Sequence, residues 1–295
     1  MAIGTVAVVA PGDMGHGVAE VLRRNGVRVV TTLQGRGPDS VARANRAGMV
    51  ALVNLQAVVH EADVFLSILP PSRAIDLAGE VAVCIKTARK PLLYADCNAV
   101  APETVKAIGT VITAAGGRFV DVGIIGLPPK PGGASPRFYA SGAEAPALAE
   151  LNAHGLDIRV VGEEIGQASA LKMCFAAMSK GVTALATEAL TAASILGVAE
   201  PLRSELASTV PGLLDYANRA VPSMPPKAYR WIGEMEEIAA TFASVGLPPG
   251  MLQGAADVYR FVGQSPLGRE RTEERTQGKT LEDAVAGLAR TLGKR

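Results

Sequence analysis

Short runs of β-branched and apolar residues alternate with longer amphipathic stretches through the first half of the chain. Residues 5–9, 27–32, 64–68, 92–95 and 119–122 read as strands, and residues 15–25, 40–47, 73–89 and 102–115 read as the helices between them. The strands are apolar on every position and not on alternate ones, which predicts a parallel sheet covered on both faces. Two further short strands, 138–140 and 158–161, flank a helix over 145–154. The pattern changes after Gly162. Residues 165–196 read as one long, Ala-rich helix without proline, roughly 45 Å in length. Everything beyond is helical, punctuated by VPSMPPKA (221–228) and GLPPG (246–250). The last helix starts at Thr280, with Asp283 closing a capping-box-like pair. No internal repeat is visible. The expected fold is α/β: a Rossmann-type doubly wound sheet over 1–164, followed by an all-α domain over 165–295 entered through the long helix 165–196.

Composition narrows what such a chain can do. It has 295 residues, 48% hydrophobic and 19% charged, with a net charge of +1. It can therefore bury a sizeable core, and its scattered Lys and Arg form neither a nucleic-acid stripe nor a polybasic membrane patch. No apolar run reaches the ~20 residues of a membrane span. The apolar N-terminus lacks a basic leader and enters a glycine turn, so it reads as a strand and not as a signal peptide. Cys84, Cys97 and Cys174 are far apart, and His16, His60 and His154 are isolated. Free thiols and no metal site are expected, which suits a cytoplasmic protein.

The segment TVAVVAPGDMGHGVAEVLRRNG is strand, tight turn and helix. Gly12 and Gly15 hold the second and third places of a dinucleotide fingerprint whose first place is Ala10, followed by Pro11. Gly12 lets the backbone approach a pyrophosphate, Gly15 permits close helix–strand packing, the helix N-terminus offers free N–H groups to phosphates, and Pro11, Asp13 and Met14 complete the expected cofactor loop. The second strand ends at Leu33 where an NAD-specific site places a carboxylate. Arg36, with Thr32 and Ser40 as neutral donors, suits a 2′-phosphate, so the expected cofactor is NADP (NADPH).

One lysine stands apart. Lys172 lies in ASALKMCFAAMSKG, and Ser169, Lys172, Ser179 and Thr183 make a narrow polar stripe on an apolar helix. A desolvated lysine exchanges protons near neutral pH, which fits a general acid/base; a snorkelling or structurally paired lysine is the bland alternative. Lys180 is a weaker candidate on the same broad face. Asn98 can donate to a substrate oxygen and accept from a hydroxyl or amine. Trp231 reads either as an apolar helix anchor or, with Tyr229 and Glu234, as the wall of a substrate pocket.

These motifs together resemble the β-hydroxyacid dehydrogenase superfamily, which includes 6-phosphogluconate dehydrogenase, 3-hydroxyisobutyrate dehydrogenase and the imine reductases. The resemblance runs from about residue 5 to 197. PGDMG (11–15) is similar to its glycine loop, and ADVFLSILPPS (62–72) to the strand and turn that pass under the nicotinamide ribose. DCNAVAP (96–102) is similar to its D-x-S-T-x-x-P segment, FVDVGIIG (119–126) to F-x-D-A-P-V-S-G, and GQASALK (166–172) to the segment carrying the catalytic lysine. The resemblance implies cofactor contacts at Leu69, Pro70 and Asn98, substrate contacts at Gly123, Ile124, Ile125 and Gly126, and catalysis by Lys172 and Asn98. It departs where the family binds a carboxylate. Asn98 and Ala99 replace a serine and a threonine, Ile125-Gly126-Leu127 replaces Ser-Gly-Gly, and Ala176 replaces an asparagine. Residues 228–251 look like the C-terminal domain labelled DUF1932.

The expectation is an NADP-dependent oxidoreductase exchanging hydride with a small hydroxy or oxo compound. An imine or ketone reductase is the alternative in chemistry, and a non-catalytic NADP-binding sensor the alternative in class. Resembling proteins form intertwined dimers, and the Ala- and Leu-rich helical part needs covering, so a homodimer is expected.

Overall fold

In the computed structural model, which describes residues 3–88, 90–129, 135–271 and 275–292, the first half of the chain folds around one sheet. Its strands are β1 (Thr5–Val9), β2 (Arg28–Thr32), β3 (Val50–Leu52), β4 (Val64–Ser67), β5 (Leu93–Asp96), β6 (Arg118–Ile125), β7 (Arg137–Ser141) and β8 (Asp157–Gly162). Their order in space is β3-β2-β1-β4-β5-β6-β7-β8. All neighbours are parallel except β6 and β7, which are antiparallel. The helices between them are α1 (Asp13–Arg24), α2 (Pro38–Arg46), α3 (Leu55–Glu61), α4 (Ala74–Ile85), α5 (Pro102–Ala114) and α6 (Ala145–Leu148).

The apolar strands bury both faces. Val6 and Val8 of β1 join one core with Val18 and Leu22 of α1 and Ala44 of α2, while Ala7 and Val9 join a second with Val58 of α3, Leu77 of α4 and Ile108 of α5. Burial on both faces is what makes a parallel strand read as a continuous apolar run.

The sheet departs from the sequence expectation in three places. Residues 48–63 hold a strand and a helix, β3 and α3, where none was expected. β3 is a three-residue edge strand, too short for a periodic signal, and α3 is seven residues held by Asn54, whose Oδ1 accepts from the Ala57 N–H at 2.9 Å. β6 runs three residues past its expected end at Val122. The sheet is not wholly parallel, because β7 returns beside β6 in the opposite direction. The expected end of the 73–89 helix, Arg89, lies outside the described residues; the helix proper ends at Ile85.

The long helix α7 spans Gln167–Ile195. The chain divides into two compact units within it, Met1–Met173 and Cys174–Arg295. The second unit continues with α8 (Ala199–Thr209), α9 (Pro211–Ser223), α10 (Ala228–Ser244), α11 (Gly250–Gln264), α12 (Pro266–Arg269) and α13 (Leu281–Leu292). Leu190, Ala217, Val221, Leu281, Ala284 and Val285 form one of its cores. Thr280 begins α13 as expected, its hydroxyl accepting from the Asp283 N–H at 3.2 Å. Among the described residues no helix is long and apolar enough to cross a membrane.

Candidate active site

Sheet order sets the place for a ligand. Strand order reverses between β1 and β4, and in open α/β sheets ligands bind beyond the carboxyl ends of the strands at such a switch point. The register aligns those ends: Val9 pairs with Ser67, Ser67 with Asp96, and Asp96 with Asp121. The loops after β1, β4 and β5 thus leave the sheet side by side. β6 continues beyond them, paired with the start of β7, so that Gly123, Ile124 and Ile125 lie past the level at which β1, β4 and β5 stop.

The loop after β1 fits a dinucleotide. Ala10 donates its N–H to the Ile68 carbonyl at 2.9 Å, tying the first loop to the β4 loop, and its own carbonyl accepts from Gly12 at 2.9 Å. Gly12 is the N-cap of α1 and supplies no side-chain cap. A Cβ built on it would meet nothing within 4 Å, whereas one on Gly15 would lie 2.1 Å from the Ala10 carbonyl oxygen. An uncapped helix N-terminus beside open space suits a pyrophosphate. Pro11 is buried; Asp13 and Met14 are half-buried at the start of α1. Asp13 would repel a phosphate, but Arg43 of α2 sits 3.1 Å from its carboxylate and offsets it. Thr32 is buried at the end of β2, Arg36 is exposed in the loop beyond, and Leu69 and Pro70 lie in the loop after β4.

Asn98 has an occupation the sequence did not suggest. It is 3% exposed. Its Nδ2 donates to Ser67 Oγ and Asp96 Oδ2, both at 2.9 Å, and its Oδ1 accepts from the Leu69 N–H at 2.7 Å. Both amide hydrogens are spent inside the protein, so the geometry supports holding the β4 and β5 loops together and not the expected donation to a substrate oxygen.

Asp96, which anchors Asn98, is itself fully buried. Burial pushes its carboxyl up to about 7, against the lowering effect of hydrogen bonds from the Asn98 N–H and amide, with the nearby Asp121 charge raising it further. A raised carboxylate pKa means the folded state holds this proton when the unfolded chain has released it. Stability is therefore fully present below about pH 4 and lost as pH rises toward 7, by about 4 kcal/mol for this group alone. Asp96→Asn removes that titration. The melting temperature of the variant minus that of the wild type is expected to grow more positive from pH 5 to pH 8; a difference independent of pH would contradict the assignment.

Lys172 is half-buried in the second turn of α7, and its Nζ donates to the Ile124 carbonyl at 2.5 Å. Gly123 makes the approach possible, since a Cβ there would lie 2.7 Å from the Ala168 carbonyl oxygen and 2.9 Å from Lys172 Cβ. Gly123, Ile124 and Lys172 are thus brought together, on the part of β6 that overhangs the strand ends. Ile125 is buried, and Gly126 leaves the strand exposed with φ +135°.

The helical unit holds its own polar cluster. The Lys180 ammonium pairs with Glu234 and lies 5.2 Å from the centre of the Trp231 ring, which packs edge-on against Tyr259. Tyr259 and Tyr216 donate their hydroxyls to the consecutive carbonyls of Lys180 and Ser179, each at 2.6 Å. Trp231 therefore anchors α10 to α7 and α11, and Lys180 has a structural partner. Sequence reasoning passed over Asp96, Asp121, Arg43 and these tyrosines. For Asp121 a signal existed: a lone carboxylate inside the apolar run FVDVGII. Among the described residues no group of three or more His, Cys, Asp or Glu side chains is placed to hold a metal.

Comparison with known proteins agrees with this architecture. Residues 5–144 match the NAD binding domain of 6-phosphogluconate dehydrogenase, and residues 193–262 match DUF1932, a domain of unknown function. An uncharacterised 28.5 kDa protein of Methanothermus fervidus is 27% identical over 80% of this chain and 90% of its own. A solved conserved protein of unknown function, described as structurally similar to 3-hydroxyacid dehydrogenases, is 33% identical over 88% of this chain and 96% of its own, with a TM-score of 0.69. The 3-hydroxyisobutyrate dehydrogenase of Mycobacterium tuberculosis, solved with L-serine, shares the fold at 18% identity and a TM-score of 0.71 over 99% of both chains.

Proposed function

The chain belongs to the β-hydroxyacid dehydrogenase superfamily of NAD(P)-dependent oxidoreductases, and from that premise we propose that it is an NADP-dependent enzyme exchanging hydride with a small hydroxy or oxo compound, with Lys172 as general acid/base. The observation that carries the reading is the Lys172 ammonium held on the Ile124 carbonyl, on the part of β6 that extends past the carboxyl ends of β1, β4 and β5. The nicotinamide, when bound, supplies or accepts the hydride. In reduction Lys172 gives a proton to the substrate oxygen, and in oxidation its neutral amine takes the hydroxyl proton. Pro11, Gly12, Met14 and Gly15 form the pyrophosphate loop, Leu69 and Pro70 flank the nicotinamide ribose, and Gly123 to Gly126 border the substrate. Asn98 positions the two loops on either side. We take the enzyme to be a cytoplasmic homodimer, a reading supported by the exposed apolar side chains Phe175, Met178 and Leu185 of α7.

One observation favours an imine or ketone substrate as the second reading. Where the family's carboxylate-binding Ser-Gly-Gly would stand, the chain has Ile125, Gly126 and Leu127, with Ile125 buried and Leu127 exposed, and none offers a hydroxyl. A screen of NADPH oxidation against ketones, cyclic imines and 3-oxo acids, with the reverse reaction on 3-hydroxy acids, separates the readings. Turnover of any class supports an enzyme and names its chemistry; tight NADPH binding with no turnover throughout would favour a sensor.

Cofactor choice rests on Arg36 and on the absence of a carboxylate at the end of β2. A charge-assisted contact to a 2′-phosphate contributes about 1.5–3 kcal/mol. Arg36→Ala is expected to weaken NADP binding roughly ten- to a hundredfold and to leave NAD binding nearly unchanged, as read by fluorescence titration. Equal affinities of the wild type for both cofactors would overturn it.

A further inference from the structure

We propose that Asp121 is the positioning residue for Lys172: its carboxylate clamps the first turn of α7 to β6 and so fixes where the lysine ammonium stands. The proposal rests on the reading of Lys172 as the acid/base group.

A carboxylate inside an apolar strand buried on both faces is costly unless its oxygens are used. Asp121 is fully buried, and both of its oxygens are used. Oδ1 accepts from Ser169 Oγ at 2.6 Å. Oδ2 accepts from the Gly166 N–H at 2.9 Å, the Ser169 N–H at 3.0 Å and Ser141 Oγ at 3.1 Å. Ser141 of β7 in turn accepts from the Ala168 N–H at 3.0 Å. The N–H groups of Gly166, Ala168 and Ser169, which a helix start leaves without intrahelical partners, are thus satisfied by side chains of β6 and β7. The negative charge also sits at the positive end of the helix dipole. Burial still raises the Asp121 carboxyl above its ordinary value, since the hydrogen bonds only partly offset the lost solvation.

The consequence for Lys172 is geometric. Ser169 and Lys172 lie three residues apart, one helical turn, and therefore on one face of α7. Asp121 and Ile124 lie three apart in β6. Between the two contacts, Gly123 lets Ala168 and Lys172 come within touching distance of the strand backbone. The helix start is thus fastened at Asp121, pressed close at Gly123 and fastened again where Nζ meets the Ile124 carbonyl. Releasing the Asp121 end loosens the turn that delivers the lysine.

The test reads the lysine itself and needs no substrate. Limited reductive methylation with formaldehyde and cyanoborohydride, followed by peptide mass spectrometry, gives the reactivity of Lys172 relative to Lys90, which pairs with Asp63 elsewhere in the same unit. Asp121→Ala is expected to change that ratio by about fivefold, toward higher Lys172 reactivity, the scale of one lost hydrogen bond. Asp121→Asn keeps an acceptor for the helix amides and Ser141 and places a donor against the Ser169 hydroxyl, and is expected to stay within about twofold of wild type. NADPH affinity should stay within a few-fold in both, because the glycine loop is untouched. A folded Asp121→Ala with wild-type Lys172 reactivity overturns the proposal. If Asp121→Ala does not fold, Ser169→Ala removes the 2.6 Å bond alone and must move the ratio the same way; an unchanged ratio overturns it equally. The underlying reading fails separately: full turnover in Lys172→Met would remove the acid/base role and leave the labelling result as it stands.

Discussion

Lys172→Met is expected to lower turnover at least about a hundredfold while NADPH affinity stays within a few-fold, the size of effect a general acid/base contributes. Methionine keeps an unbranched stem of similar length along the α7 surface, so packing against Gly123 is preserved and only the ammonium is lost. What disappears is one hydrogen bond to the Ile124 carbonyl and the proton that must move with the hydride. The first loss is modest for folding, about 1 kcal/mol, and leaves the phosphate loop untouched. The second bears only on the chemical step, so the effect should fall on kcat and not on the cofactor constant. The measurement is steady-state turnover on whichever compound the screen finds, beside an NADPH titration and a melting curve. Near-normal turnover in a folded variant would refute the mechanism. Lys180 is a poor substitute candidate, because its ammonium is already engaged by Glu234 and Trp231.

The outcome of reading the sequence depended on how local each signal was. The doubly wound sheet was legible because strands covered on both faces are apolar at every position, and five such runs separated by helices leave few alternatives. The pair β3 and α3 was not, since three residues of edge strand carry no period, although Asn54 ahead of a helical run was a readable cap. The reversal at β7 was not either: strand direction depends on where the chain returns, and the return runs through a Pro- and Gly-rich stretch from 126 to 136 with no periodic pattern. At the site, the glycine loop and Lys172 stood out as local motifs. Asn98 also stood out, but its hydrogen bonds depend on Ser67 and Leu69, about thirty positions away in sequence and adjacent only through the β4–β5 register. Lys180 looked available for the same reason; its partner Glu234 arrives from a different helix.

The glycine loop offers the other large effect, because its two glycines are needed for different reasons that one experiment can separate. Gly15 is needed by the protein. Its Cα is so close to the end of β1 that a methyl would stand 2.1 Å from the Ala10 carbonyl oxygen. That oxygen cannot easily retreat, since it accepts from Gly12 while the Ala10 N–H is tied to Ile68. Gly15→Ala must therefore push α1 off the sheet or break the loop, at a cost on the order of 3 kcal/mol. It is expected to lower the melting temperature clearly and to abolish measurable NADPH binding. Gly12 is needed by the ligand. Its backbone is extended, with φ −77° and ψ −168°, a conformation open to any residue, and a methyl there would meet nothing within 4 Å. Gly12→Ala should melt within a degree or two of wild type, a surface change of small consequence. The same methyl occupies the space through which the backbone would approach a pyrophosphate, so NADPH affinity is expected to fall roughly tenfold or more. Titration and melting curves on both variants decide the matter. A Gly12→Ala protein that binds NADPH like wild type would remove the dinucleotide from this loop, and a Gly15→Ala protein as stable as wild type would mean that the approach of α1 to β1 is looser than the 2.1 Å contact implies.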